Sequence, residues 1–121
     1  MVKTYGLTHI NLAVRDVKRS LLFYRKVFGV REYGRGDGLV HAKTPGRRDV
    51  ITFCEGASGA GKAGGIAHFG FRLVTPGDID AAVREVKRAG GKILRRGEFS
   101  PGYPYASVAD PDGYEVEIWY E

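Results

Sequence analysis

The chain has 121 residues with an ordinary balance of apolar and charged side chains, 43% and 27%, which is enough for one domain with its own core. No apolar run approaches the roughly 20 residues of a membrane-spanning helix, the N-terminus lacks a signal-peptide pattern, and the single Cys54 excludes an internal disulfide and a multi-cysteine metal site. From these features we expect a cytoplasmic protein with no membrane partner. The net charge of +5 comes from basic residues spread along the chain, so we expect no nucleic-acid partner.

The first half of the chain predicts a strand, a helix and three more strands. "LTHINLAV" alternates in polarity, as a half-buried strand does. Asp16 is placed to cap a helix whose apolar residues recur at helical spacing, and Gly29 ends that helix. The next three strands are "VREY", "LVHAK" and "VITFC", separated by the turns "GRGDG" and "TPGRRD".

The same order of elements returns after a glycine-rich stretch. "IAHFGFRLV" predicts a strand and Asp78 a second helix N-cap, and the later strands are "KILRR", "YASVAD" and "YEVEIWY". His9 and His68 occupy equivalent points of the two opening strands, which indicates an internal duplication. We therefore expect a single domain built from two modules and a linker. The boundaries are about 4–55 for module 1, about 56–65 for the linker and about 66–121 for module 2.

Chemically active side chains gather on one face of the predicted strands. Residues two apart in a strand share a face, so Glu115 and Glu117 lie together, opposite an apolar face that should pack under a helix. The polar faces of the first, fifth and last strands carry His9, Asn11, His68, Arg72, Glu115, Glu117 and Trp119. Two imidazoles and one carboxylate suit a divalent first-row metal and leave coordination positions open for substrate.

Three segments show a resemblance to a known superfamily: "GLTHINLAVRDVKRSLLFYRKVFGV", "GIAHFGFRL" and "DPDGYEVEIWYE". They resemble the vicinal oxygen chelate superfamily, which groups glyoxalase I, extradiol dioxygenases, fosfomycin-resistance enzymes and bleomycin-resistance proteins. The resemblance implies an α+β fold in which paired βαβββ modules form a curved mixed sheet, a cup with the helices outside, usually completed in a homodimer. It places the metal ligands on His9, His68 and Glu117, which would hold Fe²⁺, Mn²⁺, Zn²⁺, Ni²⁺ or Co²⁺.

The resemblance predicts a class of chemistry rather than one reaction. Glyoxalase I has a fourth ligand, a Glu, where this chain has Ile51 or Thr52. Extradiol dioxygenases have a Tyr where this chain has Ser107, although Tyr105 and Tyr103 share its face. We expect an enzyme whose small substrate chelates the metal through vicinal oxygens, with dioxygenase-like oxidation slightly favoured over lyase, isomerase or thiol-transfer chemistry. The alternative is a metal-free protein that binds a small molecule.

Two residues are candidates for proton transfer. His41 shares the phase of its strand's cup-facing residues and corresponds to Ser107 in the repeat. An imidazole has an ordinary pKa of about 6.5, which suits acid–base catalysis near neutrality. Tyr105 is the second candidate catalytic residue. The alternatives are a solvent-exposed strand histidine for His41 and simple aromatic walls for Tyr105 and Tyr103.

Four residues are candidates for substrate binding: Arg72, Trp119, Tyr103 and Asn11. Arg72 would pair with a substrate carboxylate or phosphonate, although a structural ion pair with Glu115 is its alternative. The aromatic side chains would line the cup, and Asn11 would orient a metal-binding histidine from behind.

Overall fold

Each half of the chain folds as one βαβββ unit in the computed structural model, which describes residues 1–121. The two units are Met1–Ala60 and Gly61–Glu121, and the boundary between them falls within the stretch predicted as a linker. The α+β class and the paired βαβββ modules are confirmed, since each unit forms its own mixed four-stranded sheet and carries one α-helix.

The first unit pairs its first and fourth strands at one side of its sheet. Its elements are β1 (His9–Ala13), α1 (Val17–Phe28), β2 (Arg31–Gly36), β3 (Leu39–Lys43) and β4 (Val50–Cys54). The strand order is β1-β4-β3-β2, with β1 parallel to β4 and the other neighbours antiparallel. β2 is longer than predicted, because Gly34 and Gly36 pair with His41 and Leu39 and only two residues remain for the turn.

Helix α1 begins and ends where the sequence predicts. The side chain of Asp16 accepts a hydrogen bond from the backbone N of Arg19 at 3.1 Å, which satisfies one free N–H group of the first turn. Gly29 has a φ of 72°, and its left-handed conformation ends the helix. The helix buries Tyr24 against Phe53 of β4, with ring centroids 5.1 Å apart. This contact covers the apolar face of β4 with the helix, so the polar residues lie on the opposite face of the sheet.

The second unit repeats this topology. Its elements are β5 (Phe69–Arg72), a 3₁₀ turn (Pro76–Asp78), α2 (Ile79–Arg88), β6 (Lys92–Glu98), β7 (Pro104–Ala109) and β8 (Glu115–Trp119). The strand order is β5-β8-β7-β6, and β5 is parallel to β8. β5 is shorter than predicted, so His68 lies immediately before the strand.

Asp78 is the N-cap residue of α2, as predicted. Asp78 already has helical backbone angles, φ −82° and ψ −4°, and its side chain does not cap the helix. The reason is Pro76, which begins a 3₁₀ turn before the helix and brings Asp78 into it. The carboxylate of Asp78 instead accepts a hydrogen bond from Thr75 Oγ1 at 2.8 Å.

The turn before β8 is fixed by one buried carboxylate. Asp110 is 4% exposed, and its Oδ1 accepts hydrogen bonds from the backbone N of Asp112, Gly113 and Tyr114 at 2.9, 3.0 and 3.0 Å. Val116 and Ile118 of β8 are buried under α2, as the alternation predicts. The intervening residues therefore lie on the opposite face. No helix of the protein is long and apolar enough to cross a membrane.

Candidate functional site

The third and fourth strands of each unit pair in the same way, so equivalent residues of the two units can be identified from their partners. His41 pairs with Thr52 between β3 and β4, and Ser107 pairs with Glu117 between β7 and β8. Thr52 and Glu117 are therefore equivalent positions of the repeat. The predicted correspondence between His41 and Ser107 is confirmed.

In the second unit, His68 and Glu117 come together across β5 and β8. His68 Nε2 lies 3.5 Å from Glu117 Oε2, and the two side chains are 42% and 20% exposed. This separation is longer than a good hydrogen bond. It matches two ligands of one metal ion, since donors about 2.1 Å from an ion and about 110° apart are separated by roughly 3.4 Å. The donor types and their spacing therefore fit a divalent cation.

The neighbouring carboxylate, that of Glu115, already has hydrogen-bond partners within the protein. Its Oε1 accepts hydrogen bonds from Ser107 Oγ and from the guanidinium of Arg95. The hydrogen bond from Ser107, followed by the charges of Arg95 and His68, lowers the pKa of Glu115 against the opposing effect of burial. Glu115 thus lies at the rim of the site as an ionised, partnered group, and Glu117 is the carboxylate that faces the histidine.

Arg72 does not form the alternative ion pair considered for it. Arg95 of β6 takes the place at Glu115, whereas Arg72 donates to the backbone carbonyl of Glu121. The Arg72 guanidinium also lies 5.4 Å from the centre of the Trp119 ring. It is exposed on the same face as Glu117, so its charge is available to a ligand there.

In the first unit, Thr52 bridges two histidines. Its Oγ1 lies 3.3 Å from His9 Nε2 and 2.8 Å from His41 Nδ1, and Thr52 is 3% exposed. A hydroxyl has one hydrogen to donate, so Thr52 donates to one imidazole and accepts from the other. The sequence identified Thr52 only as the place of an absent carboxylate. Its equivalence to Glu117 was the signal that it faces the histidines.

The other predicted residues of this unit lie around that bridge. His41 is half-buried, and its ring stacks on Tyr33 with centroids 6.0 Å apart and planes 26° apart. These contacts hold His41 in place, unlike a freely solvated strand histidine. Asn11 is exposed on the same face of β1, and the side-chain hydrogen-bond partner of His9 is Thr52.

Two glycines let aromatic rings lie flat on the sheet of the second unit. A Cβ on Gly70 would lie 3.2 Å from Trp119 Nε1, and a Cβ on Gly97 would lie 3.0 Å from the Tyr105 hydroxyl oxygen. Trp119 therefore covers β5. Tyr105 covers β6 and stacks on Phe99 with centroids 4.7 Å apart.

This packing determines where the predicted tyrosines present their hydroxyl groups. The Tyr105 hydroxyl lies over Gly97 of β6, on the far side of β7 from Glu117. Tyr103 stacks on Tyr120, with centroids 6.1 Å apart. The structure brings His68 and Glu117 together, and it brings His9 and His41 together through Thr52. It directs the two tyrosines toward other aromatic rings.

A chain of paired βαβββ units with a histidine–carboxylate pair defines a class of protein, and the comparisons identify its family. Residues 6–118 match the sequence model of the Glyoxalase/Bleomycin resistance protein/Dioxygenase superfamily, and the chain belongs to this family. The resemblance seen in the sequence is therefore confirmed.

Two curated relatives and one solved structure are similar over nearly the whole chain. Uncharacterized protein PA2024 of Pseudomonas aeruginosa is 29% identical over 123 residues, covering 94% of this chain and 87% of the relative. Metapyrocatechase of Geobacillus stearothermophilus is 25% identical over 118 residues, covering 95% of this chain but 34% of the relative, so the chain spans about a third of that protein. The crystal structure of a glyoxylase/bleomycin resistance protein/dioxygenase domain from Frankia sp. EAN1pec has a TM-score of 0.79 at 24% identity and 98% coverage of each chain, which shows the shared fold.

Proposed function

We propose that the protein is a metal-dependent enzyme that acts on a small substrate able to chelate a divalent ion through vicinal oxygens. His9, His68 and Glu117 are the proposed ligands. The observation that carries the proposal is the His68–Glu117 pair, whose 3.5 Å separation fits two donors of one ion. Both side chains are partly exposed, so an ion and a substrate can reach them.

His9 is the proposed third ligand because the repeat gives it the same role as His68. In each unit the histidine at the start of the sheet directs Nε2 toward the fourth-strand residue of the equivalent position, Thr52 or Glu117. The structure contains no group of three His, Cys, Asp or Glu side chains placed to hold one ion, so His9 joins the proposed set through the repeat alone. We propose that the protein is a cytoplasmic homodimer.

The chain's own residues would supply binding and proton transfer. When bound, Fe²⁺, Mn²⁺, Zn²⁺, Ni²⁺ or Co²⁺ would stabilise negative charge on the substrate oxygens. In the tautomer in which Nδ1 of His41 donates its hydrogen to Thr52 Oγ1, Nε2 has the free lone pair and would take a proton from substrate. Arg72 would pair with an anionic group of the substrate, and Trp119 would form an apolar wall beside it.

Among reaction types, dioxygenase-like oxidation remains slightly favoured. The similarity to metapyrocatechase supports this order. Thr52 occupies the position of the fourth glyoxalase I ligand, and its neutral hydroxyl is already shared by two imidazoles. These contacts favour a three-ligand centre over the glyoxalase I arrangement. Tyr105 would have to rotate away from Phe99 to act as an acid or base near Glu117, so His41 is the stronger candidate for that role.

The first experiment is metal analysis of untagged protein purified without chelators, beside Glu117→Ala and the matched control Glu115→Ala. The proposal predicts near-stoichiometric metal in the wild type and in Glu115→Ala, and its loss in Glu117→Ala. Such a result would justify assays with catechols, hemithioacetals and epoxides. Wild-type protein that takes up none of the five ions would overturn the proposal and favour the metal-free binding protein, for which ligand-dependent stabilisation without metal is the test.

A further inference from the structure

A basic cavity lies at one end of the first unit, apart from the His9–Thr52–His41 bridge but next to it. Its volume is about 350 Å³, the size of a site for a small molecule. The residues that line it are Tyr5, Thr8, Tyr33, Lys43, Arg47, Arg48, Asp49 and Val50. Several of them belong to the "TPGRRD" segment, which the sequence identified only as a turn.

The cavity lining carries three positive charges and one negative charge, so it is net positive. Lys43, Arg47 and Arg48 form no ion pair with any carboxylate. The one acidic residue of the lining, Asp49, is engaged by Thr44, which donates from Oγ1 at 2.6 Å and from its backbone N at 3.3 Å. Three cations that share one concave surface repel one another, and an anion between them would relieve this repulsion.

Aromatic rings hold two of the cations in place without neutralising them. The guanidinium carbon of Arg48 lies 3.8 Å from the centroid of the Tyr5 ring, and Lys43 Nζ lies 5.3 Å from the centroid of the Tyr33 ring. Such contacts restrict the long side chains while their N–H donors stay free. The cavity therefore combines positively charged side chains, restricted by these contacts, with the apolar faces of two tyrosine rings.

The cavity adjoins the histidine face of the same unit. Thr8 precedes His9 in the chain, and Val50 pairs with His9 between β1 and β4. Tyr33, which lines the cavity, also stacks on His41. A ligand held here by one end would place its other end beside the two imidazoles.

We propose that this cavity binds the anionic group, a carboxylate or a phosphate, of a small molecule that also carries a planar apolar part. As a subsite for substrate the cavity rests on the proposed function, whereas its anion binding does not. The concave shape and the cluster of only three cations favour a small ligand over nucleic acid, which requires a longer basic surface. Arginine recognises both carboxylates and phosphates through paired N–H donors.

The test uses phenyl phosphate and benzoate as probes, titrated into the full-length protein by calorimetry in the presence of a chelator. The variant Lys43→Gln/Arg47→Gln/Arg48→Gln removes the cavity's charges. The matched control, Lys18→Gln/Arg84→Gln/Lys87→Gln, removes the same charge from exposed helical positions. We expect the cavity variant to bind at least tenfold more weakly than the wild type and the control to bind as the wild type does. The probe that binds more tightly identifies the anionic group.

Other outcomes would overturn the proposal. These are a wild type that binds neither probe, a cavity variant that binds as tightly as the wild type, and a control variant that loses affinity equally. Tight binding of duplex DNA at moderate salt that is lost in the cavity variant would assign the cations to a nucleic acid instead. Lys43→Gln alone, with an unchanged unfolding temperature, provides a milder variant whose loss of affinity cannot come from misfolding. Because the titration uses no metal, its result is independent of the metal analysis of Glu117→Ala.

Discussion

In the first unit the fourth strand presents Thr52 to two imidazoles, whereas in the second unit the same position is Glu117, which faces His68. A hydroxyl both donates and accepts, so it can hydrogen-bond with two imidazoles at once. A carboxylate only accepts and carries charge, so it pairs with a cation. The two units share one register, and the different side chains at equivalent positions, Thr52 and Glu117 among them, give the two faces different chemistry.

The turn before the fourth strand also differs between the units. In the second unit, buried Asp110 accepts three backbone hydrogen bonds, whereas in the first unit half-buried Asp49 is bonded to Thr44. We expect Asp110→Ala to lower the free energy of unfolding by about 3 kcal/mol, because buried N–H groups lose a charged acceptor. Asp49→Ala should cost about 1 kcal/mol. Urea unfolding of the two variants measures this difference, and equal losses would contradict it.

The proposed metal site would distinguish the units most directly in function. Glu117→Thr gives the second unit the side chain that the first unit has at this position. We expect the affinity for the divalent ion to fall by about 100-fold, because a neutral hydroxyl is a weak ligand. Calorimetric titration with the ion found in the wild type measures this change. Thr52→Ser is the control, and it should bind the ion as the wild type does. Unchanged affinity in Glu117→Thr would remove Glu117 from the ligand set.

The glycine under the tryptophan is specific to the second unit, since the equivalent position of the first unit is Asn11. A Cβ on Gly70 would lie 2.8 Å from the backbone oxygen of Glu117, too close for any rotamer change to relieve. Gly70→Ala should therefore destabilise the protein by about 2 kcal/mol. Gly77→Ala, where a Cβ meets nothing within 4 Å, should change stability by less than about 0.5 kcal/mol. Thermal unfolding that ranks the two variants in the opposite order would contradict this packing.

The smallest expected effect concerns the pH dependence of the second unit. Because hydrogen bonding and nearby charge lower the pKa of Glu115 in the folded state, its contribution to stability is present above the pKa of an unfolded glutamate. The contribution is lost as the pH falls through the lower, folded-state pKa. Ser107→Ala removes the largest cause, so the pKa of Glu115 should rise toward its ordinary value. Carboxyl ¹³C NMR titration of both proteins measures the midpoint, and an unshifted midpoint would contradict the role of Ser107.

Features set by local chemistry were predictable from the sequence. The Asp16 cap, the Gly29 terminus and the alternation of buried residues in β8 depend on near neighbours, and all were confirmed. Asp78 is the N-cap residue of α2 as predicted, but its side chain makes no capping hydrogen bond, because a proline two residues earlier begins a 3₁₀ turn.

Features set by contacts between strands were less predictable. The partner of Glu115 is Arg95 rather than Arg72, because a register shift between Ile93 and Arg95 of β6 determines which side chain reaches across β7. The bridging contacts of Thr52 depend on two side-chain rotamers that no sequence pattern encodes. The equivalence of His9 and His68 was visible because a duplication repeats in the sequence itself.

The position of Trp119, whose ring lies over β5, has a practical consequence for spectroscopy. Trp119 is the single tryptophan of the chain, and it lies two residues from Glu117 on the same face of β8. Its indole also faces the guanidinium of Arg72. Tryptophan emission, excited at wavelengths that tyrosine does not absorb, therefore originates at one point, beside the proposed metal ligands. Quenching by a paramagnetic ion or a shift in emission on adding a ligand would report occupancy of that face without any label.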